Sequence, residues 1–381
     1  MRASPPFGAF HARGLVVVTG ATGLLGAAVV RRWALASGGP RLAVIVRDPA
    51  RWRALAARAG IPAAGIEVHE GDLLSAGLGI SADARARLAR RATAVVHLAA
   101  DTTFSRPLAA ARLVNVEGTR RLLELADDCP GVERFAFVST AFAAGRRTGD
   151  VPESPAGAAD EAVGWVNAYE QSKAEGEALV RSTRRDWLVV RPSTVVCDDT
   201  TGAVTQHNAV HQALRIFHAG MAAMIPGVEG STLDAVPGDY AADAIARLAL
   251  RPALDGATVH LCAGRGAMPL DELLDRTYAL WARCAEWRRR GVSVPALGDL
   301  ATWALFERTV EDTGDERLRR VTRAMTHFLP QIALPKRFAT ARADALLGHA
   351  APPVRDYWTR MLAHLLDTGW RRAPAPRGAA A

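Results

Sequence analysis

The sequence predicts an α/β protein: a doubly wound parallel sheet followed by a smaller, mainly helical lobe. Three observations lead there. Short β-branched runs alternate with stretches of helical length through the first two thirds of the 381 residues, the pattern of successive strand–helix–strand units. The runs are apolar throughout, as strands covered by helices on both faces are. A glycine triplet, Gly20, Gly23 and Gly26, separates the first run from the first helical stretch, where such a sheet makes its sharpest turn.

Taken in order, "LVVVTG" (15–20) is the first strand, followed by an Ala/Leu-rich helix to about Ser37. "LAVIVR" (42–47) is the second, and Pro49 and Gly60 bracket the helix after it. "IEVHEGDL" (66–73) is the third, and Ser81 is a good N-cap for the helix of "SADARARLARRA". "AVVHLAA" (94–100) is the fourth, with one long helix across 107–129 behind it. "RFAFVST" (134–140) is the fifth; a loop and a helix holding Tyr169 and Lys173 then lead to the sixth, "WLVVRP" (187–192). Right-handed crossovers between such strands make a Rossmann-type sheet. The pattern loosens from about 198, with an amphipathic stretch (203–222), a helix near 239–250, a strand-like "ATVHLCAG" (257–264) and a helical remainder. The expected organisation is an N-terminal extension (1–13), a nucleotide-binding domain (14–262) with a substrate-lobe insertion at about 198–238, a helical C-terminal lobe (263–370) and a disordered tail (371–381).

Composition narrows the class. The formal charge of +8 comes from 47 basic residues, of which only Lys173 and Lys336 are lysine. The arginines are scattered, with no dense basic run or aromatic interleaving, so no nucleic-acid surface is expected. Four separated cysteines (Cys129, Cys197, Cys262, Cys284) form no C-x-x-C pair. That argues against a disulfide framework and a structural zinc site, and fits a reducing compartment. The first 14 residues lack the apolar core of a signal peptide. "GLVVVTGATGLLGAAVV" (14–30) is apolar but short for a membrane span, and its spaced glycines fit strand, turn and helix better. A cytoplasmic protein without a transmembrane segment is expected.

The chemistry is concentrated at strand ends. In "TGATGLLG" the glycines allow a tight turn, close approach of the backbone to a pyrophosphate, and packing of the helix on the sheet. The helix N-terminus then offers amide donors to phosphate. At the end of the second strand Arg47 suits a ribose 2′-phosphate, which favours NADP(H) over NAD; with NAD, Asp48 would hold the ribose instead. Asp72, ending the third strand, reads equally as an acceptor for an adenine amine or as a turn cap. Tyr169 and Lys173 are four residues apart on a helix and share a face. A nearby ammonium favours phenolate and so lowers the tyrosine pKa from its usual value of about 10. The phenol can then give a proton to a carbonyl oxygen as hydride arrives. Thr140, or failing it Ser139, ends the fifth strand facing the same crevice and polarises that oxygen.

"TGATGLLG", "VVHLAA", "NVEGT", "FVST", "YEQSK" and "VVRPS", in that order and spacing, resemble the extended short-chain dehydrogenase/reductase family over residues 15 to about 262. The resemblance implies Thr140, Tyr169 and Lys173 as a catalytic triad, with Asn115 as fourth member. It implies a cofactor site of Gly20, Thr22, Gly23, Leu24, Leu25, Gly26, Arg47, Asp72, Leu73, Ala99, Ala100, Tyr169, Lys173, Pro192 and Thr194. "NVEGTRRLLELA", "VSTAFAAGRRTGDVPE", "NAYEQSKAEGEALVR" and "VVRPSTVVCDDTTGAV" look like the branch holding fatty acyl-CoA reductases and thioester reductase domains. There NADPH reduces an acyl thioester to an aldehyde, sometimes onward to an alcohol. The expected partners are a small-molecule or carrier-bound acyl substrate, an acyl carrier protein in trans, and a second copy of the chain in a homodimer. The alternatives on this scaffold are a hydroxysteroid-type or flavonoid-type ketoreductase, a nucleotide-sugar epimerase or dehydratase, and a non-catalytic NAD(P)-sensing regulator.

One stretch reads two ways. His207, His211 and His218 fall on one helical face, but "HNAVH" lacks the glutamate of a zinc helix, and no metal is expected. Phe217, Met221, Met224 and Ile225 line either an acyl pocket or the packing of the lobe.

Overall fold

Seven strands pair in parallel: β1 (Leu15–Thr19), β2 (Arg41–Val46), β3 (Ile66–Glu70), β4 (Ala92–His97), β5 (Arg134–Val138), β6 (Asp186–Pro192) and β7 (Ala257–Leu261). Their order is β3-β2-β1-β4-β5-β6-β7, reversing direction between β1 and β4. That reversal opens a crevice at the carboxyl ends of the strands. The computed structural model describes residues 14–155, 162–252 and 254–371; the expected extension (1–13) and, apart from residue 371, the expected tail lie outside these.

Two helical layers cover the sheet, because its strands are apolar on both faces. One face holds α1 (Leu24–Leu35) and α2 (Pro49–Arg58), whose Val29, Val30, Trp33 and Trp52 are buried with Val16, Val18, Val44 and Val96. The other holds α3 (Ala82–Arg91), α4 (Leu108–Arg112), α5 (Gly118–Asp127) and α6 (Ala168–Arg181); Leu88, Leu122, Leu125 and Val180 bury Val17, Val95, Phe135 and Val189 there. The single helix expected across 107–129 is interrupted. A π-helical turn, Leu113–Glu117, joins α4 to α5 and carries Asn115, an inserted residue of the kind that redirects a side chain inward at functional sites.

The insertion and the C-terminal region share one core. α7 (Ala209–His218), α9 (Leu270–Trp281) and α12 (Val354–Asp367) bury Leu214, Phe217, Leu273, Trp281, Trp358 and Met361 together, while α8 (Gly238–Ala249) packs on α1. Two shorter helices, α10 (Leu329–Ala333) and α11 (Ala341–Leu347), precede α12. α11 departs from the expected boundary at 262. Its Ala343 and Leu347 are buried in the sheet's own core beside Val259 and Ile245, so the C-terminal region helps to cover the nucleotide-binding domain.

Candidate active site

The cofactor end is built by the first turn. Gly20 has φ +76°, and a Cβ there would collide with the Ala99 backbone, where the loop after β4 crosses it. A Cβ on Gly26 would collide with the Gly20 carbonyl. Glycine at these positions lets the turn, α1 and the β4 loop close on one another. α1 has no side-chain cap, and Thr22, Gly23 and Leu24 are exposed, which leaves its first-turn amides open to an anion. These features fit a dinucleotide. The other expected contacts line the same carboxyl edge: Leu25 in the first turn of α1, Arg47 after β2, Asp72 and Leu73 after β3, Ala99 and Ala100 after β4, and Pro192 and Thr194 at and after the end of β6. Asp48 caps α2, accepting from the Arg51 amide at 2.9 Å. Asp72 takes the cap role in its own turn, accepting from the Leu74 amide at 3.1 Å.

Thr140 and Tyr169 meet. Thr140 ends β5 and begins a short 3₁₀ turn, Ala141–Ala144, its hydroxyl accepting from the Phe142 amide. Tyr169 lies in the first turn of α6, which Asn167 caps by accepting from the Glu170 amide at 3.0 Å. The Thr140 hydroxyl lies beside the Tyr169 phenol and interacts with it. Burial pushes the phenol up to about 12; the Thr140 contact pulls it down and the neighbouring Glu170 carboxylate pushes it up. Ser139, the alternative hydroxyl, is buried and turned toward Glu177 instead.

Lys173 does not behave as the spacing suggested. Its Nζ donates to the Val138 carbonyl at 2.8 Å and sits 3.9 Å over the Phe137 ring centroid. The ammonium is not among the groups that act on the phenol, whose pKa is set by burial first, then by Thr140 and Glu170. Burial lowers Lys173 to about 7, against the pull of Glu177 one turn on. Asn115 is fully buried and works as a strut. Its amide nitrogen donates to the Asp101 carbonyl at 3.0 Å and to Ser172 Oγ at 2.9 Å, and its oxygen accepts from the Asp101 amide at 2.8 Å. The π turn, the β4 loop and α6 are thereby tied together.

Three contributors escape sequence reasoning. Phe104, in the loop after β4, lies against the Tyr169 ring with centroids 5.5 Å apart. Glu177, buried in α6, takes a bidentate ion pair from Arg191 of β6 at 2.8 and 2.7 Å. Burial raises that carboxyl, but Arg191 more than offsets it and leaves it below its ordinary value. His97, buried at the end of β4, lies between Thr19 Oγ1 (2.7 Å) and Thr119 Oγ1 (3.1 Å). Thr119 gives its proton to the Asn115 carbonyl, so His97 Nε2–H donates to Thr119 and the ring is neutral. Burial, with Lys173 adding to it, lowers His97 to about 3.

The histidine stretch resolves toward packing. Asn208 and His211 cap α7 reciprocally, the Asn208 amide donating to His211 Nδ1 at 3.0 Å, with Nε2 against the Val196 carbonyl. Phe217 and Ile225 are buried in the lobe core around a cavity of about 30 Å³, too small for an acyl chain. Met221 lies at a separate surface cleft near Arg290 and Arg317, and Met224 is partly buried against the lobe core.

A β1–β4 crevice with a glycine-lined turn, and a Tyr/Thr hydroxyl pair at its edge, defines a nicotinamide-dependent enzyme of the extended short-chain dehydrogenase/reductase type. A family model described as "Male sterility protein", an NAD-binding family, matches residues 18–245, and the chain belongs to that family. Among curated proteins it is 27% identical over 199 residues to a glycine betaine reductase of Emericella nidulans, covering 51% of this chain and 16% of that protein. It is 23% identical over 176 residues to fatty acyl-CoA reductase 2, chloroplastic, of Arabidopsis thaliana, covering 33% of this chain and 29% of that protein. The chain thus spans less than a third of these relatives. Among solved structures, the terminal R domain of the myxalamid PKS-NRPS pathway shares the fold at a TM-score of 0.76 and 24% identity, over 98% of this chain and 95% of that one. Among the described residues no helix is long and apolar enough to cross a membrane.

Proposed function

We propose that this chain reduces an acyl thioester, or the aldehyde derived from it, with NADPH as hydride donor. The observation that carries the reading is the Tyr169 phenol beside the Thr140 hydroxyl at the dinucleotide crevice. Reductases of acyl-CoA and the R domain of an assembly line among its relatives support the substrate class.

A dinucleotide held along the first turn, against Gly20, Gly23 and the first amides of α1, would supply a hydride to the carbonyl carbon. Tyr169, protonated across the neutral range, gives its proton to the carbonyl oxygen, and Thr140 donates a second hydrogen bond to the developing oxyanion. The adduct is a hemithioacetal. As its C–S bond breaks, the Tyr169 phenolate takes back the hydroxyl proton. The aldehyde is released, and the departing thiolate takes a proton from water. Phe104 keeps the phenol ring in place and dry on one side. In this reading Lys173 leaves the Val138 carbonyl and anchors the nicotinamide ribose.

Arg47, exposed at the end of β2, supports NADPH, and Asp48, engaged in capping α2, is a poor ribose acceptor. The acyl group arrives on coenzyme A or on a carrier protein from a separate chain. Four free cysteines suit a cytoplasmic setting, and a homodimer is compatible with the same chemistry.

The test is NADPH oxidation against acyl-CoAs, carrier-bound acyl groups, aldehydes and ketones, with NADH in parallel. Thioesters and their aldehydes are expected to be consumed, NADPH preferred, and Arg47→Ala to raise KM for NADPH but not for NADH. Tyr169→Phe is expected to lower kcat by about 10²–10⁴-fold with NADPH binding retained. Turnover of ketones alone sinks the proposal.

A further inference from the structure

Only two of the 47 basic residues are lysine, and both are buried against α6. Lys173 lies within it; Lys336, 8% exposed, reaches it from the C-terminal lobe. The Lys336 strand, Lys336–Phe338, pairs in parallel with Gly149–Val151 in the segment that follows the Thr140 turn. From there Nζ donates to the Gly145 carbonyl at 2.7 Å and to Gln331 Oε1, in α10, at 2.8 Å. Gly145 closes the 3₁₀ turn that Thr140 opens. The Gln331 amide nitrogen, buried without a hydrogen-bond partner, is turned toward the carboxylate of Glu170, the residue after Tyr169. Glu170 is itself buried, and accepts from the Val166 amide at 3.0 Å and from Asn167 Nδ2 at 3.1 Å, at the start of α6. Asn167 also donates to the lobe, at His327 O.

We propose that Lys336, acting through Gln331 and Glu170, is a positioning residue for the reaction: it ties the turn bearing Thr140 to the helix bearing Tyr169. This rests on the hydroxyl-pair reading above and adds to it the part the C-terminal lobe plays. The physical argument starts from cost. A buried ammonium and a buried carboxylate are expensive to desolvate, and an apolar pair of the same volume is often at least as stable. Such a pair is retained where it specifies geometry. Here it does so with an Nζ that reaches two neutral acceptors from one compact point, which the planar guanidinium used elsewhere in this chain does not reproduce. Around Glu170 stand Lys336 and Arg146 as cations and Tyr169 as the titratable neighbour. Burial raises the carboxyl of Glu170 and lowers the amine of Lys336, and each opposes the other's shift.

Three proteins test this: wild type, Lys336→Met, and the double variant Glu170→Gln/Lys336→Met, in which no charge is left unpaired and the helix-start hydrogen bonds can persist. Each is measured for melting temperature, NADPH affinity by fluorescence, and kcat on whichever carbonyl substrate the wild type turns over best. The substrate panel therefore judges the function, and the ratio of variant to wild type judges the positioning. Lys336→Met is expected to lose stability and about 10–100-fold in kcat, as small displacements of reacting groups do, with NADPH affinity within about twofold. The double variant is expected to regain melting temperature but not kcat. Crystal structures of wild type and the double variant give a reading independent of turnover, with the Thr140 and Tyr169 hydroxyls expected about 1 Å or more farther apart in the variant. A kcat that recovers with stability, hydroxyls that keep their wild-type separation, or a double variant that fails to fold each overturns the proposal.

Discussion

The Tyr169 phenol and the Thr140 hydroxyl lie together at the edge of the crevice, whereas the Lys173 ammonium lies on the Val138 carbonyl and the Phe137 ring. The two candidate proton carriers therefore titrate far apart. The phenol, pushed up to about 12, remains a donor across the neutral range; Lys173, lowered to about 7, loses its proton just above neutrality. If the cation is required, kcat falls as pH rises through about 7, long before the phenol ionises. Glu177 raises the lysine pKa, so Glu177→Gln moves this limb to lower pH. Profiles of rate against pH for both proteins decide it, and a limb that does not move excludes Lys173 as its source. The spacing of Tyr169 and Lys173 was legible in the sequence; the direction of the lysine was not, since a flexible four-carbon stem can follow either the crevice or the carbonyl behind it.

At the scale of elements, α6 is pinned to β6 by the Glu177–Arg191 pair, with Arg181 adding a bond to the same carboxylate at 2.8 Å. Both main partners are almost fully buried. Arg191→Met leaves a carboxylate in the core and is expected to cost about 3–5 kcal/mol, and adding Glu177→Gln to recover part of it. Denaturant unfolding of the three proteins measures this; a loss below about 1 kcal/mol in Arg191→Met would mean that the carboxylate finds water. The strands and α1, α2, α3, α6, α7 and α8 were readable from the sequence, because each has one apolar pattern, and Pro49, Gly60 and Ser81 mark the ends of α2 and the start of α3. The π turn at Asn115 was not, because "LVNVE" is a continuous helical sequence and only the demand for Asp101 and Ser172 draws Asn115 inward.

At the scale of the whole molecule, buried ionisable groups pull against each other with pH. His97, His211 and His260 are lowered to about 3, 4 and 4, chiefly by burial. Between those values and 6.5 the unfolded chain binds their protons and the folded one does not, so they make stability rise with pH. Asp234, raised to about 6 by burial, and Glu170, also raised, hold protons longer when folded and make stability fall as pH rises over an overlapping window. The sum is a shallow profile from about pH 4.5 to 6.5. Removing one histidine unbalances it. The stability of wild type relative to His97→Gln is expected to grow with pH up to 6.5, by at most about 1.4 kcal/mol per unit. Thermal melts across that range check the sign, and a constant difference refutes the assignment of His97 as neutral.

The sequence by itself determined the sheet, the nucleotide turn and the Tyr169/Lys173 spacing, because each rests on local chemistry: apolar runs, glycines between a strand and a helix, residues one turn apart. What only the tertiary structure decided involves partners far apart in the chain. Phe104 reaches Tyr169, α11 returns to cover β7, and Lys336 reaches the Gly145 carbonyl across 191 positions. No periodicity records such a meeting, because it depends on where the lobe folds back. Composition held one trace of it, the second lysine of a chain that otherwise uses arginine.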